Sequence, residues 1–372
     1  MDLKRLCGEK EVMNLISNFP LGLIADDLTG ANDSGVQFVH SEQKTTVYLN
    51  GLDAHNYSDV MVVSTFSRHM SPREAQDRSY RMTKELLMAG AVRIYKKLDS
   101  TMRGNVGAEL EGVLQACNCD IVILCPSYPQ LGRTLQNGVL CVNERMLSDS
   151  EIMKDILSVR SSVRADEIIA EQCSRPIVTI NLEDVRKGTQ WLYTCYETYI
   201  QEGKQILVTD AQTVDDLRAI VSAAQLLKNP YILSGSGGLA SAMQHKAPHF
   251  SYPNVNIHNG ILMFCGSHSQ IAHQQIKAAL DQDLIDYYEI DPQILIDGDT
   301  DPLTILKPLI KGRTIAVAVG RRILDDDVQT VGDRIQDAVG KLISNIFNVH
   351  CPGALIVTGG DTALSICRHL GA

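Results

Sequence analysis

Long hydrophobic runs, an excess of basic residues and paired cysteine motifs are all missing from this chain of 372 residues. No stretch approaches the ~18 uninterrupted apolar residues of a membrane-spanning helix, and the N-terminus lacks the apolar segment of a signal peptide. The net charge of −10 argues against a nucleic-acid partner, because phosphate backbones are bound by clustered lysines and arginines. These absences predict a cytoplasmic protein that binds neither a membrane nor nucleic acid.

Metal and cofactor motifs are scarce as well. None of the ten cysteines forms a CxxC pair, and several lie in apolar runs, such as Cys125 in IVILC and Cys265 in ILMFC. We therefore expect buried free thiols in a reducing compartment and no metal site built by the protein. The chain has no Walker A sequence. Residues 235–240 fit a GxGxxG/A pattern, but the acidic residue expected ~20 positions later is absent, which argues against a nicotinamide site.

Short apolar runs that alternate with helical patterns are the main feature present. Strands are predicted at 21–25, 45–50, 60–65, 92–98 and 121–125, and helices at 72–90 and 105–116 lie between them. Such alternation is typical of an α/β fold with a parallel sheet flanked by helices. Asn137-Gly138, between two β-like runs of 132–147, predicts an antiparallel hairpin inserted into this sheet.

The second half of the chain repeats this alternation after an interruption. Strands are predicted at 176–182, 205–210 and 230–235, and a second series occupies 261–269, 287–291, 314–320 and 354–362, with helices near 270–280 and 328–346. Residues 246–260 contain Pro, Asn, His and Gly without a helical period. We predict two domains, 1–245 and 261–372, joined by a linker at 246–260, each built on a largely parallel sheet.

Two strands of the second domain run into glycine-containing loops that precede helices, MFCGSHS at 263–269 and IVTGGDT at 356–362. Glycine permits a sharp turn, and the free N–H groups at the start of the next helix bind anions. For either loop alone, an ordinary strand–helix turn is an equally simple interpretation. Two such loops at one sheet edge favour phosphate binding.

Charged residues follow three strands of the first domain. They are Asp26, Asp27, Arg68, Lys97, Asp99, Ser100, Thr101 and Arg103. If these strands are parallel neighbours, the side chains meet at one sheet edge. That mixture suits a polyhydroxy acid, because guanidinium groups bind its carboxylate and aspartates accept hydrogen bonds from its hydroxyls. One aspartate can also orient a hydroxyl for attack, as a general base or as a positioning group.

Simpler roles compete for several of these residues. Asp27 or Thr29 can serve only as a helix N-cap, and Asn105 fits an N-cap for the helix at 105–116. Asp33 lies one turn into a helix, where a solvated position is expected. Lys96 and Lys97 point to opposite sides of their strand, and we assign Lys97 to the cleft because it shares a face with Asp99.

Four motifs carry a resemblance to a known family. IADDLTGANDSGVQF, KKLDSTMRGNVGAEL, CPSYPQLGRTLQNGVLCVN and TGGDTA together resemble the four-carbon acid sugar kinase family, over residues 21–371. The resemblance implies a phosphotransferase that uses ATP on threonate, erythronate or oxo-tetronates, with a sugar-acid-binding and a nucleotide-binding domain. It implies substrate contacts from Asp26, Asp27, Arg68 and residues 99–103. It implies nucleotide contacts from Ser267, Gly359, Gly360, Asp361 and Thr362.

The expected reaction is transfer of the ATP γ-phosphoryl group to a terminal hydroxyl of the acid, with Mg²⁺ on the phosphates and Asp26 or Asp27 steering the hydroxyl. Two alternatives remain, a non-catalytic sugar-acid-binding relic of such a kinase and a sugar-acid oxidoreductase or lyase. Members of the family usually continue to a further glycine-rich segment, so the nucleotide-binding domain is expected to lack its C-terminal part here. The sequence does not distinguish among the four-carbon acids. It also leaves the oligomeric state open, with a homo-oligomer among the alternatives.

Overall fold

The computed structural model describes residues 20–39, 43–49, 51–52, 58–149, 162–244, 257–266, 270–320 and 328–371. The chain divides into two compact units, Met1–Phe250 and Ser251–Ala372. Each unit contains a parallel sheet flanked by helices, so the predicted α/β class is confirmed. Most of the predicted linker, residues 246–256, lies outside the described residues.

Eleven strands lie in the described part of the first unit. They are β1 (Leu21–Ala25), β2 (Thr45–Tyr48), β3 (Val60–Ser64), β4 (Arg93–Lys97), β5 (Ile121–Cys125), β6 (Arg133–Gln136), β7 (Val139–Val142), β8 (Arg145–Met146), β9 (Ile177–Ile180), β10 (Ile206–Thr209) and β11 (Tyr231–Gly235). Eight of them form one parallel sheet in the order β2-β3-β1-β4-β11-β5-β10-β9. Every strand predicted for this sheet is present, within two residues of its predicted ends.

Helices cover both faces of the eight-stranded sheet. One face carries α2 (Pro72–Met88), α3 (Val106–Cys117) and α4 (Ala165–Ala170), and the other carries α1 (Leu28–Val39), α5 (Leu182–Arg186), α6 (Thr189–Gln201), α7 (Val214–Leu226) and α8 (Gly237–Ala242). Side chains that alternate along a strand supply both cores. Ile24 packs with the α2–α3 layer, whereas Leu23 packs with the α1 layer.

The predicted hairpin is present and is extended by a third strand. Strands β6, β7 and β8 form a small antiparallel sheet. Its turn uses Asn137 and Gly138, both with positive φ, and the Asp210 carboxylate accepts hydrogen bonds from their N–H groups at 2.5 and 3.0 Å. A bridge between Leu135 and Ala211 adds a backbone connection. The hairpin is therefore attached at the end of β10, at the carboxyl edge of the large sheet.

The second unit contains a four-stranded parallel sheet in the order β13-β14-β12-β15. Its strands are β12 (Ile261–Cys265), β13 (Asp286–Ile290), β14 (Thr314–Val319) and β15 (Ala354–Thr358), and its helices are α9 (Gln270–Leu280), α10 (Pro292–Asp297), α11 (Leu303–Ile310), α12 (Val328–Val349) and α13 (Gly360–Leu370). Its core is a separate hydrophobic cluster that includes Phe264, Val317 and Ile343. The strands predicted for this half of the chain are present.

Of the helices within the described ranges, none is long and apolar enough to cross a membrane. The nine cysteines in the same ranges are free thiols, and Cys125 and Cys265 are buried, as expected.

Candidate functional site

The carboxyl edge of the eight-stranded sheet contains a topological switch point. The chain leaves β1 toward β2 on one side and leaves β4 toward β5 on the other, while β1 and β4 pair directly. In open α/β sheets such a switch opens a crevice beyond the strand ends, where ligands bind. Asp26 and Asp27 follow β1 at this point, and residues 98–103 follow β4.

Arg68 joins the acidic side chains that follow β1 and β4. Its Nε lies 2.7 Å from Asp26 Oδ2, its Nη1 2.8 Å from Asp27 Oδ2 and its Nη2 3.9 Å from Asp99 Oδ1. Burial alone would lower the pKa of this guanidinium, but the three carboxylates raise it above its ordinary value. The structure thus brings together the three charged clusters that the sequence places at strand ends.

Asp99 is the most heavily hydrogen-bonded carboxylate of this group. Arg103 donates to it from Nε at 2.9 Å and from Nη2 at 2.8 Å, and the Thr101 hydroxyl and N–H donate to Oδ2 as well. Burial would raise the pKa of Asp99, but these donors and Arg68 hold it well below its usual range. Asp99 is therefore ionised at any physiological pH. Ser100 lies in the same turn, between Asp99 and Thr101.

Asp26 and Asp27 differ in accessibility. The Asp26 side chain is 3% exposed, whereas that of Asp27 is 21% exposed. Asp27 Oδ1 accepts the N–H of Gly30 at 2.7 Å while Oδ2 pairs with Arg68, so Asp27 both caps α1 and belongs to the charged cluster. Burial raises the pKa of Asp27 despite the nearby charge of Arg68.

Lys97 lies on the α1 side of β4. Its Nζ is 2.8 Å from the point that a Cβ on Gly30 would occupy, and its charge lowers the pKa of Asp33, against the larger effect of burial. Among the described residues, no carboxylate oxygen lies within the 4.0 Å of an ion pair to Lys97 Nζ. Lys97 is therefore a buried lysine near the crevice whose ammonium group has no ion-pair partner among the described residues.

Lys96 points to the opposite side and forms an ion pair that the sequence analysis did not predict. Its Nζ lies 2.8 Å from Glu109 Oε2, and both side chains are at most 2% exposed. The Ser67 hydroxyl donates to Glu109 Oε1 at 2.6 Å, and the Ser67 N–H donates to the Asp26 carbonyl at 3.1 Å. The pair therefore supports the segment that carries Arg68. In the sequence, the only indication of this ion pair was Glu109, a carboxylate within the largely apolar helix sequence NVGAELEGVL.

Two simpler predictions need correction. Asn105 precedes α3 but makes no capping hydrogen bond, and its Nδ2 instead donates to the carbonyls of Ser67 and Met70 at 2.9 and 2.8 Å. Asp33 was expected on a solvated helix face, but it is half-buried and accepts a hydrogen bond from Tyr128 Oη at 3.5 Å. The side-chain chemistry was compatible with both roles, and the packing of non-local segments decided between them.

The second unit places two glycine loops side by side. Gly266 follows β12, Gly359 follows β15, and these strands are paired neighbours. The Gly266 N–H donates to the Thr358 carbonyl at 2.9 Å, and a Cβ on Gly266 would collide with the Thr362 side chain. Only glycine fits at this contact. Ser267, the other predicted nucleotide residue of this loop, lies outside the described residues.

The start of α13 is suited to a phosphate group. The N-cap position is Gly359, which adopts a φ of 97° and has no side chain that could cap the helix. Gly360, Asp361 and Thr362 form the first turn. Unsatisfied N–H groups at such a turn, together with the helix dipole, attract anions. Within the described ranges no group of three or more His, Cys, Asp or Glu residues is arranged to hold a metal ion.

Comparisons with known families match both units. A family model described as a sugar-binding N-terminal domain matches residues 21–243. A second, described as a nucleotide-binding C-terminal domain, matches residues 262–372. The two models together cover nearly all of the chain.

Individual relatives match this chain over most of its length. The chain is 30% identical to a D-threonate kinase of Salmonella typhimurium, over 94% of this chain and 86% of the relative. It is 26% identical to a D-erythronate kinase of Heliobacterium modesticaldum, over 94% and 85% of the two chains. A solved structure of a Haemophilus influenzae protein superposes with a TM-score of 0.71 at 22% identity, covering 94% of this chain and 88% of that one, and shows the same fold.

Proposed function

The chain belongs to the four-carbon acid sugar kinase family, and from that premise we propose that it transfers the γ-phosphoryl group of ATP to the terminal hydroxyl of a four-carbon sugar acid. The enzyme is a phosphotransferase with an alcohol group as acceptor. The observation that carries the placement of the substrate is the cluster of Asp26, Asp27 and Asp99 around Arg68. The hydroxyl groups of such an acid need hydrogen-bond acceptors, and the three carboxylates of this cluster offer them.

We assign the steering of the attacking hydroxyl to Asp27. Its carboxylate is the more exposed of the β1 pair, and burial makes it more basic than an ordinary aspartate. An acceptor of this kind aligns the hydroxyl and takes its proton as the new bond forms. Asp26 acts behind it, where its carboxylate fixes the Nε side of Arg68.

The remaining residues of the proposed acid site provide positive charge and hydrogen-bond donors. Arg68 and Arg103 pair with the carboxylates, and Lys97 adds a buried ammonium group without an ion-pair partner among the described residues. Ser100 and Thr101 offer hydroxyl groups beside Asp99. This mixture of donors and acceptors fits a small acid that carries several hydroxyls.

The proposed nucleotide site lies in the second unit, at Gly359, Gly360, Asp361 and Thr362, with Ser267 from the neighbouring loop. The uncapped start of α13 and the close contact of Gly266 with Thr362 support a backbone cradle for phosphate oxygens. ATP, bound with Mg²⁺, supplies the phosphoryl group and a cation that neutralises phosphate charge.

An assay of ADP release tests this function. The purified protein is supplied with ATP and Mg²⁺ and with threonate, erythronate or their oxo forms in turn. We expect at least one acid to raise ADP release above the acid-free background. Asp27→Asn is expected to lower kcat by about 10²–10⁴-fold, the usual contribution of a positioned acid or base. Asp215→Asn, which alters an exposed aspartate on α7, is the matched control and is expected to keep full activity.

Two results would contradict the proposal. If no four-carbon acid raises ADP release although calorimetry detects acid binding, the non-catalytic interpretation replaces the kinase. If Asp27→Asn and Asp215→Asn have equal activity, the assignment of Asp27 fails while the kinase function stands.

We also infer a cytoplasmic setting, supported by the free thiols in the described ranges and by the need for ATP. The oligomeric state is a separate question that light scattering on the purified protein answers.

A further inference from the structure

The guanidinium groups of the acid site are already engaged by protein carboxylates. Arg68 gives its Nε to Asp26 and its Nη1 to Asp27, and Arg103 gives its Nε and Nη2 to Asp99. The carboxylate of a sugar acid would have to displace these partners to bind either fork. Its own negative charge is also repelled by the three aspartates. A cation without a protein carboxylate is the better partner.

Arg133 provides such a cation from the hairpin. Its Nη1 donates to the Leu131 carbonyl at 2.9 Å, and no carboxylate of the described residues lies within the 4.0 Å of an ion pair to its guanidinium. The side chain is half-buried, and burial lowers its pKa. Removing an unpaired cation from water is unfavourable, and an anionic ligand would offset that cost.

Backbone hydrogen bonds hold Arg133 at the carboxyl edge of the large sheet, next to Tyr128, whose hydroxyl donates to Asp33 of α1. Arg133 and Tyr128 exchange two backbone hydrogen bonds, at 2.8 and 3.0 Å, which join the first residue of β6 to the segment that follows β5. Alternation along β6 places Arg133 on the same face as Leu135, which is fully buried in the core cluster that also contains Met102. Arg103 is the next residue after Met102, and the charges of Asp99 and Arg103 act on Arg133.

We propose that Arg133 binds the carboxylate of the sugar acid, so that the hairpin β6–β8 forms one wall of the substrate site. This inference rests on the proposed kinase function. In this arrangement the aspartates of the large sheet contact the hydroxyl groups of the substrate, and Arg133 of the hairpin binds its carboxylate. A neutral polyol would then lack its anchor, which makes Arg133 a determinant of specificity for acids.

Paired substrates and variants test the role of Arg133. Steady-state rates are measured for the preferred four-carbon acid and for its neutral primary amide, with wild type, Arg133→Gln and Arg133→Lys. Arg133→Gln is expected to raise KM for the acid about 10–100-fold, the effect of losing a hydrogen bond to a charged group. KM for the amide and KM for ATP are expected to stay within about twofold. Arg133→Lys keeps the charge without the fork and is expected to fall between wild type and Arg133→Gln.

Control variants keep the test specific. Arg145→Gln removes an exposed arginine from β8 of the same hairpin and is expected to leave KM for the acid unchanged. Lys97→Gln removes the other unpaired cation. If Lys97→Gln abolishes the preference for acid over amide while Arg133→Gln does not, the carboxylate belongs at Lys97 and the proposal is overturned.

Failure of this inference can be told apart from failure of the kinase function. An equal rise in KM for acid and amide in Arg133→Gln would contradict charge recognition, provided that its melting temperature matches wild type. If that variant melts early, Arg133→Lys decides, because an acid-specific loss must still appear in it. If wild type turns over no acid, the kinase function fails, and calorimetric binding of the acid to wild type and Arg133→Gln still tests Arg133.

Discussion

At the scale of single residues, Asp99 is expected to stabilise the fold through its hydrogen bonds with Arg103 and Thr101. Asn at this position would remove the carboxylate that accepts hydrogen bonds from Arg103, while Arg68 would keep Asp26 and Asp27 as partners. Losing hydrogen bonds to a charged group costs about 1.5–3 kcal/mol. We expect Asp99→Asn to lower the free energy of unfolding by about that amount at pH 7. Trp191, the single tryptophan of the chain, lies in the first unit and reports its unfolding by fluorescence.

The pH dependence of this loss has a definite sign. The pKa of folded Asp99 lies below the ~3.9 of an unfolded aspartate, so its contribution is complete above about pH 5 and is lost as the pH falls below ~4. The stability difference between wild type and Asp99→Asn should therefore shrink in denaturation curves recorded toward pH 3. A difference that stays constant with pH would show that the ion pairs are not its source.

The pKa of Asp27 is shifted upward, opposite to that of Asp99, and this shift predicts how activity depends on pH. A base must be ionised to accept a proton, and burial raises the pKa of Asp27 above the usual aspartate value. We expect kcat/KM to fall as the pH decreases through that raised pKa, at a higher pH than an exposed aspartate would give. Asp27→Asn should remove this acid limb from the pH profile of its residual activity. If the limb persists in the variant, another group is the base.

At the scale of elements, close packing of α2 on α3 sets the position of Glu109. A Cβ on Gly112 of α3 would collide with the Gln76 carbonyl of α2, and the backbone there cannot yield. We expect Gly112→Ala to lower the free energy of unfolding by about 1–3 kcal/mol, as overpacking does. Gly332→Ala is the matched control on α12, where nothing lies within 4 Å of the added methyl group. Helix propensity should make that variant more stable, by up to about 1 kcal/mol, so the two substitutions should have opposite signs in denaturation experiments.

The same elements show how far the sequence alone leads. Strands such as β1 and β5 are buried on both faces, so they appear as uninterrupted apolar runs and were predicted nearly to the residue. The charged residues that follow β1, β3 and β4 were placed together by the rule that parallel strands share a carboxyl edge. Contacts between distant segments left no such local pattern. The partnership of Lys96 with Glu109 and the approach of Tyr128 to Asp33 depend on packing that only the folded chain defines.

At the scale of the whole molecule, the two units have separate hydrophobic cores, and each is matched by its own family model. A local change in one unit should therefore leave ligand binding in the other intact, because sites without shared partners contribute independently. This independence allows the proposed nucleotide site to be tested without disturbing the proposed acid site.

Gly359 is the position at which that independence can be measured. Its φ of 97° is strained for any residue with a Cβ, and the added atom would lie 3.2 Å from the carbonyl carbon of Gly266. We expect Gly359→Ala to weaken ATP binding at least about 10-fold in calorimetry, because the strand–helix turn that presents the N–H groups of α13 must shift. Gly371→Ala introduces a similar positive-φ strain at the other end of the same helix, with nothing within 4 Å, and should bind ATP normally. Acid binding and the unfolding reported by Trp191 should be unchanged in both variants. Equal loss of ATP binding in the two would mean that Gly359 acts only through the stability of α13, and loss of acid binding would mean that the units are coupled.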